Sequence, residues 1–122
     1  MHRCIEQNAL VLRDEQNGVL LRIEETALPG RLVLALHGDV PAELAPDMED
    51  ELLAAALACS DLTLDLNGAG FLCAPALRAI LAARQTLVSR SGVLRVVGAR
   101  GPALQKMRDT GLDILLRPVQ DA

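Results

Sequence analysis

Residues 62–81 read LTLDLNGAGFLCAPALRAIL. Leu62, Leu64 and Leu66 alternate with Thr63 and Asp65, the period-2 pattern of a half-buried strand. Further on the period changes. Leu77, Ile80, Leu81, Leu87 and Val88 fall on one stripe of a helix that runs to Gly92, with Arg78, Arg84 and Arg90 facing outward. Between the two lie Asn67-Gly68-Ala69-Gly70, which read as a flexible turn, and then Phe71 to Pro75. A strand that hands over to a helix is the repeating unit of an α/β fold. Its junction is a common place for a phosphate, a nucleophile or a partner's contact.

The flanking sequence extends the unit both ways. Residues 19–27 read as a strand closed by Pro29-Gly30. In residues 31–38, RLVLALHG, both faces carry mostly apolar residues, which predicts a central strand paired with the previous one as an antiparallel hairpin. Residues 45–60 carry Met48, Leu52, Ala55 or Ala56, and Cys59 at helical spacing, with Pro46 at the helix start. Asp47, Glu49, Asp50 and Glu51 crowd its first turns, where the helix dipole favours negative charge and water solvates it. Downstream, VLRVVG is a strand, GPALQKMRDTG a helix with Leu104 and Met107 inward, and DILLRP a last strand closed by Pro118. The predicted order is ββαβαβα and a final β, with the last three strands parallel. The fold class is α/β: a small mixed sheet with helices packed mainly on one face. Residues 18–118 form the domain, 1–17 a tail or an extra edge strand, and 119–122 a tail. Asn17-Gly18 is a hairpin signal.

Composition narrows the function. The chain has 122 residues, enough for one domain, and 51% apolar residues, which argues against disorder. Phe71 is its only aromatic residue, and the net charge is −4. Both argue against a nucleic-acid surface, where stacking rings and basic patches do the binding. No apolar run suits a signal peptide or a membrane span, so the chain reads as cytoplasmic and without membrane insertion. Cys4, Cys59 and Cys73 are widely spaced and odd in number, which makes no disulfide framework and suits a reducing compartment.

With the motifs in this order, the chain resembles the STAS domain, the family of bacterial anti-sigma factor antagonists and of the cytoplasmic tails of sulfate transporters. Residues 32–52 are similar to the family's second strand and the Gly-containing turn into its first helix. Residues 62–81 are similar to its most distinctive stretch: a strand ending in Asp-Leu, a loop, then Phe, an aliphatic residue and Asp-Ser-Ser-Gly-Leu opening a helix. Residues 92–116 are similar to its closing strand, helix and last strand. The resemblance covers residues 18–118 and implies a STAS-like fold.

It also implies a protein-interaction module, and it shows what this chain lacks. Aligned on Phe71-Leu72 and Leu77, the family's Asp falls on Cys73, its phosphorylatable Ser on Ala74, the second hydroxyl residue on Pro75 and the Gly on Ala76. In typical antagonists a partner kinase phosphorylates that serine and the dianion breaks the complex. Ala74 has no hydroxyl, so Ala74 is a degenerate phosphosite. The family's Asp three residues after the turn Gly is replaced by Pro41, with Asp39 nearby. The resemblance therefore implies a regulator in a partner-switching pathway without the usual phosphoacceptor. A switch kinase or anti-sigma factor would be its partner, docking on Asp39, Pro41, Asn67, Gly68, Cys73, Ala74, Pro75, Leu77, Arg78 and Gln85. An accessory subunit of a lipid or anion transporter, a scaffold protomer and a homodimer stay open.

Other chemistry finds little support in the sequence. A thiol at a helix N-terminus, such as Cys73, can be reactive, but the favoured reading of Cys73 is a small apolar residue tucked under the loop. Neither His2 nor His37 has an obvious route to it as a base. His2 and Cys4 are too few for zinc. His37 reads as a strand-end histidine with a satisfied ring. The glycines of 67–70 lack the Gly-Lys-Ser/Thr of a phosphate loop, and Pro75 removes a backbone donor at the helix start. No acid–base pair or metal cluster appears, and no enzyme or cofactor is expected.

Overall fold

The alternating leucines of residues 62–66 sit within a long strand in the computed structural model, which describes residues 1–16, 18–112 and 114. In chain order the elements are β1 (His2–Glu6), β2 (Ala9–Arg13), β3 (Val19–Leu28), β4 (Arg31–Val40), α1 (Ala45–Ala58), β5 (Asp61–Leu72), α2 (Ala74–Ser89), β6 (Val93–Val97) and α3 (Gly101–Asp109). A short 3-10 turn, Ala42–Leu44, leads into α1. The described strands form a six-stranded sheet in simple sequence order. β1 to β4 are antiparallel neighbours, whereas β4, β5 and β6 run parallel. Parallel neighbours need long crossovers, and α1 and α2 supply them.

The hairpin expected around Pro29-Gly30 is present as β3 and β4, closed by Leu28 opposite Arg31, with Gly30 at φ +74°. Residues 1–13 hold two strands, β1 and β2, paired to each other and through β2 to β3. Asn17 lies outside the described residues. So do residues 113 and 115–118 of the predicted last strand.

Alternation along each strand splits the sheet into two faces. Leu10, Leu12, Leu21, Ile23, Leu34, Leu36, Leu62, Leu64, Leu66, Leu94 and Val96 form one buried cluster with the inner stripes of the described helices α1, α2 and α3. Those stripes are Met48, Leu52, Ala55 and Ala56 on α1, Leu77, Ile80 and Leu87 on α2, and Ala103 and Met107 on α3. Burying one such leucine contributes about 2 kcal/mol, and this cluster is what holds the helices to the sheet. The opposite face carries Val33, Ala35, Thr63, Asp65 and Arg95, all half-buried.

Three local expectations need correcting. Asn67-Gly68-Ala69-Gly70 is not a flexible turn but the continuation of β5, which runs on to Leu72 beside β4. Val88, expected inward, is 40% exposed. Arg84 and Arg90 do not both face outward. Arg84 is half-buried, with its Nε enclosed and unpartnered. Arg90 folds back to donate to the carbonyl oxygens of Ala56 and Cys59, where α1 ends with unsatisfied acceptors.

Candidate functional site

The carboxyl ends of β4 and β5 continue side by side past the core, and this shared extension builds the site. Two register shifts separate the pairs Ala35–Asp65, His37–Gly68 and Val40–Leu72. Each shift gives β5 an extra residue, which bends the strand and re-aims its side chains. The glycines make this geometry possible. A Cβ at Gly68 would lie 2.4 Å from His37 Nδ1, and one at Gly70 only 2.1 Å from Asp39 Oδ1. In β4, Gly38 takes φ +117°, a conformation that side-chain-bearing residues avoid.

Asp39 is the hinge of this arrangement. Its Oδ1 accepts a hydrogen bond from Phe71 N–H at 2.7 Å, from 32 residues away in sequence. The next tie is Cys73 N–H, which donates to Val40 C=O at 3.0 Å. Together they clamp the end of β5 to the loop that leads into α1. Cys73 is then the N-cap of α2, with Ala74 and Pro75 as the first helical residues and no side-chain hydrogen bond capping the helix.

A second set of contacts joins the end of β5 to the loop before α3. Asp65 Oδ1 accepts from Asn67 N–H at 2.9 Å and from Asn67 Nδ2 at 2.8 Å. Arg100 donates to Asn67 C=O at 2.9 Å. Gly98 leaves room for this, since a Cβ there would lie 2.5 Å from Asn67 Nδ2. Lys106 of α3 places its ammonium 5.2 Å from the centre of the Phe71 ring, a cation–π distance. Phe71 itself is 44% exposed. On the open sheet face beside Gly68, His37 Nε2 contacts Glu24 Oε1 at 3.0 Å, and Arg22 Nε donates to the same oxygen at 3.1 Å. His37 is thus a satisfied strand-end histidine.

The expected site residues divide by accessibility. Asp39, Asn67, Gly68, Arg78 and Gln85 are exposed, and Pro41, Ala74 and Pro75 are half-buried. The end of β4, the end of β5 and the start of α2 meet here, with Gln85 about three turns further along α2. Two residues are corrected. Leu77 is fully buried and Cys73 nearly so, at 6% exposure, because both point under the loop into the cluster between sheet and helices. Their side chains support the surface from below and offer a partner nothing to touch. Phe71, Arg100 and Lys106 belong to the surface and were not anticipated. The signal for Phe71 was present, since the chain's only aromatic residue is a poor choice for an exposed strand end without a use. Arg100 and Lys106 carry no such signal, because their contacts depend on where α3 lands.

The remaining chemistry is sparse. Cys59, at the C-cap of α1, has its thiol pushed above its ordinary value by burial, and it donates to Ala55 C=O at 3.2 Å. Among the described residues no group of three or more His, Cys, Asp or Glu side chains could hold a metal ion. None of the described helices is long and apolar enough to cross a membrane. What the site presents is a shaped surface: an aromatic ring, several guanidinium and ammonium groups, a carboxylate held by a backbone donor, and small residues at a helix start.

An anti-sigma factor antagonist from Mycobacterium paratuberculosis superposes with a TM-score of 0.68 at 27% identity, over 84% of this chain and 86% of that one. The Bacillus cell fate determinant SpoIIAA in its phosphorylated form gives 0.62 at 11% identity, over 76% and 86%. A sulfate transporter family protein from Wolinella succinogenes gives 0.61 at 13% identity, over 75% of each chain. No curated protein matches the chain. The fold, in the described residues a mixed sheet with three helices against it, is that of the anti-sigma factor antagonists. The family model described as "Mlab, STAS domain" matches residues 23–118. The chain belongs to the STAS domain family.

Proposed function

We propose that this chain is a non-enzymatic docking module of the anti-sigma factor antagonist kind, working in a partner-switching pathway without phosphorylation at the usual position. One observation carries the reading: the first residue of α2, where the family's serine would stand, is Ala74, which has no hydroxyl. The ties from Asp39 to Phe71 and from Cys73 to Val40 hold that surface in one shape. A preformed surface spends little binding energy on ordering itself. Exposed Arg78, Arg100 and Phe71 are residue types enriched at protein interfaces.

Without the acceptor, the module docks constitutively or is controlled through its partner. The docking residues are Asp39, Pro41, Asn67, Gly68, Ala74, Pro75, Arg78 and Gln85, joined by Phe71, Arg100 and Lys106. The domain is residues 18–118, preceded by the first hairpin, and it acts in the cytoplasm.

A second reading has its own support. A sulfate transporter family protein from Wolinella succinogenes shares the fold. On that reading the same surface docks on a transporter as an accessory subunit. Tagged protein recovered from its native host, with bound proteins identified by mass spectrometry, separates the two. A switch kinase or anti-sigma factor supports the first reading, and transporter subunits support the second.

A further inference from the structure

β1 has a neighbour on one side only, β2, and its other edge is free among the described residues. A free edge presents unpaired backbone N–H and C=O groups, a ready template for another strand. Proteins commonly guard such edges with an inward or outward charge. Here the charge nearest the middle of the edge, Arg3, is turned down onto α1, where it meets Asp47 Oδ1 and Glu51 Oε1, each at 3.3 Å. Beside it Ile5 is 79% exposed, the most exposed large apolar side chain among the described residues.

The sequence of β1 is self-complementary. Antiparallel pairing with a second copy about a two-fold axis at Cys4 uses all five residues of the strand. It sets His2 against Glu6 of the second copy, Arg3 against Ile5, and Cys4 against Cys4. No like charges oppose each other. Arg13 occupies Oε2 of Glu6 at 2.9 Å, so the other carboxylate oxygen is left for the imidazole of the second copy's His2. Shifting the strands so that position 3 faces itself would oppose two arginines and shorten the ladder. A shift of one residue would turn every side chain to the wrong face.

We propose that a second copy of this chain pairs along β1, giving a reversible, two-fold dimer with a continuous sheet. Ile5 is buried against the stem of Arg3 of the second copy. The strands are short, so the interface is small and the association weak, below the size of permanent interfaces. The docking surface at the ends of β4 and β5 lies across the sheet from β1, so a dimer carries two such surfaces, both open. A partner with two binding sites would then gain from avidity. This inference does not depend on which partner uses that surface.

Sedimentation velocity over a concentration series, with a short bis-maleimide cross-linker, tests it. In Cys59→Ser protein the cross-linker joins two copies through Cys4, because directly opposed residues of paired strands lie within its reach. The additional change Cys4→Ser abolishes the cross-link. Ile5→Lys sets a lysine against Arg3 of the second copy at both ends and weakens association about tenfold. Ile5→Glu keeps the dimer. Circular dichroism melting verifies that both variants fold, which the exposure of Ile5 favours. A chain that stays monomeric throughout the series overturns the inference. So does a dimer that Ile5→Lys leaves intact, or one that cannot be cross-linked through Cys4.

Discussion

Asp39 and Phe71 meet across two parallel strands, and the carboxylate of the first holds the backbone N–H of the second at 2.7 Å. The bond lies at the surface, where it ties the end of β5 to the end of β4. Together with the bond from Cys73 N–H to Val40 C=O, it clamps the end of β5 beside β4.

Removing that carboxylate should therefore cost more in binding than in stability. Asp39→Ala loses one partly solvated, charge-assisted hydrogen bond, about 1 kcal/mol. Gly70→Ala reaches the same contact from the other side, since its Cβ would stand 2.1 Å from Asp39 Oδ1 and displace it. Both variants should weaken partner binding, and in denaturant melts the double variant should lose less stability than the sum of the singles. Simple additivity would mean that the two residues do not act through one contact.

Leu77 and Arg78 are neighbours in sequence with opposite duties. Leu77→Ala empties a fully buried position and should destabilise the domain by about 3 kcal/mol. Arg78→Glu changes an exposed side chain and should move stability by no more than about 0.5 kcal/mol while abolishing partner binding. Thermal melts and a binding isotherm on the same two proteins check both halves.

Gly68 and His37 form another such pair. Gly68→Ala drives a methyl group into the imidazole, 2.4 Å from Nδ1, and should push the ring off Glu24. Trimming the ring in a Gly68→Ala, His37→Ala protein should recover part of the lost stability, though the tight 3.0 Å approach to Leu36 C=O remains. No recovery in a urea melt would assign the strain to the backbone instead.

Cys59 gives a pH dependence with a defined sign. Burial raises its thiol above the ordinary value, so the folded state favours the protonated form. The stability this contributes is fully present below the ordinary thiol range and is lost as pH rises through the raised value. Alkylation of Cys59 by iodoacetamide should therefore set in at higher pH than for a cysteine in a short peptide. The stability difference between wild type and Cys59→Ser should shrink in alkaline solution.

Much of this architecture was legible in sequence because it rests on local periodicity. The leucines of β5, the stripes of α1 and α2 and the Pro29-Gly30 hairpin each carry a complete pattern within one segment. Residues 67–70 misled for a physical reason. Asn and Gly are turn residues in isolation, but here the glycines admit His37 and Asp39 from the neighbouring strand, a need visible only once β4 lies alongside. β1 was hard to see because an edge strand with polar residues on both faces has no alternation to show. Cys73 and Leu77 were misread as contact residues because spacing gives a helix face but not the depth of the loop above it. The contacts of Lys106 with Phe71 and of Arg100 with Asn67 join segments more than thirty residues apart. No spacing rule reaches that far.

The most direct measurement is recovery of tagged wild-type and Arg78→Glu proteins side by side from the native host, with and without reductant, followed by mass spectrometry of what each retains. Docking through the start of α2 in a partner-switching pathway requires a switch kinase or an anti-sigma factor on the wild type and its absence from Arg78→Glu. The same partners on both proteins, or transporter subunits in place of a switch regulator, would contradict it.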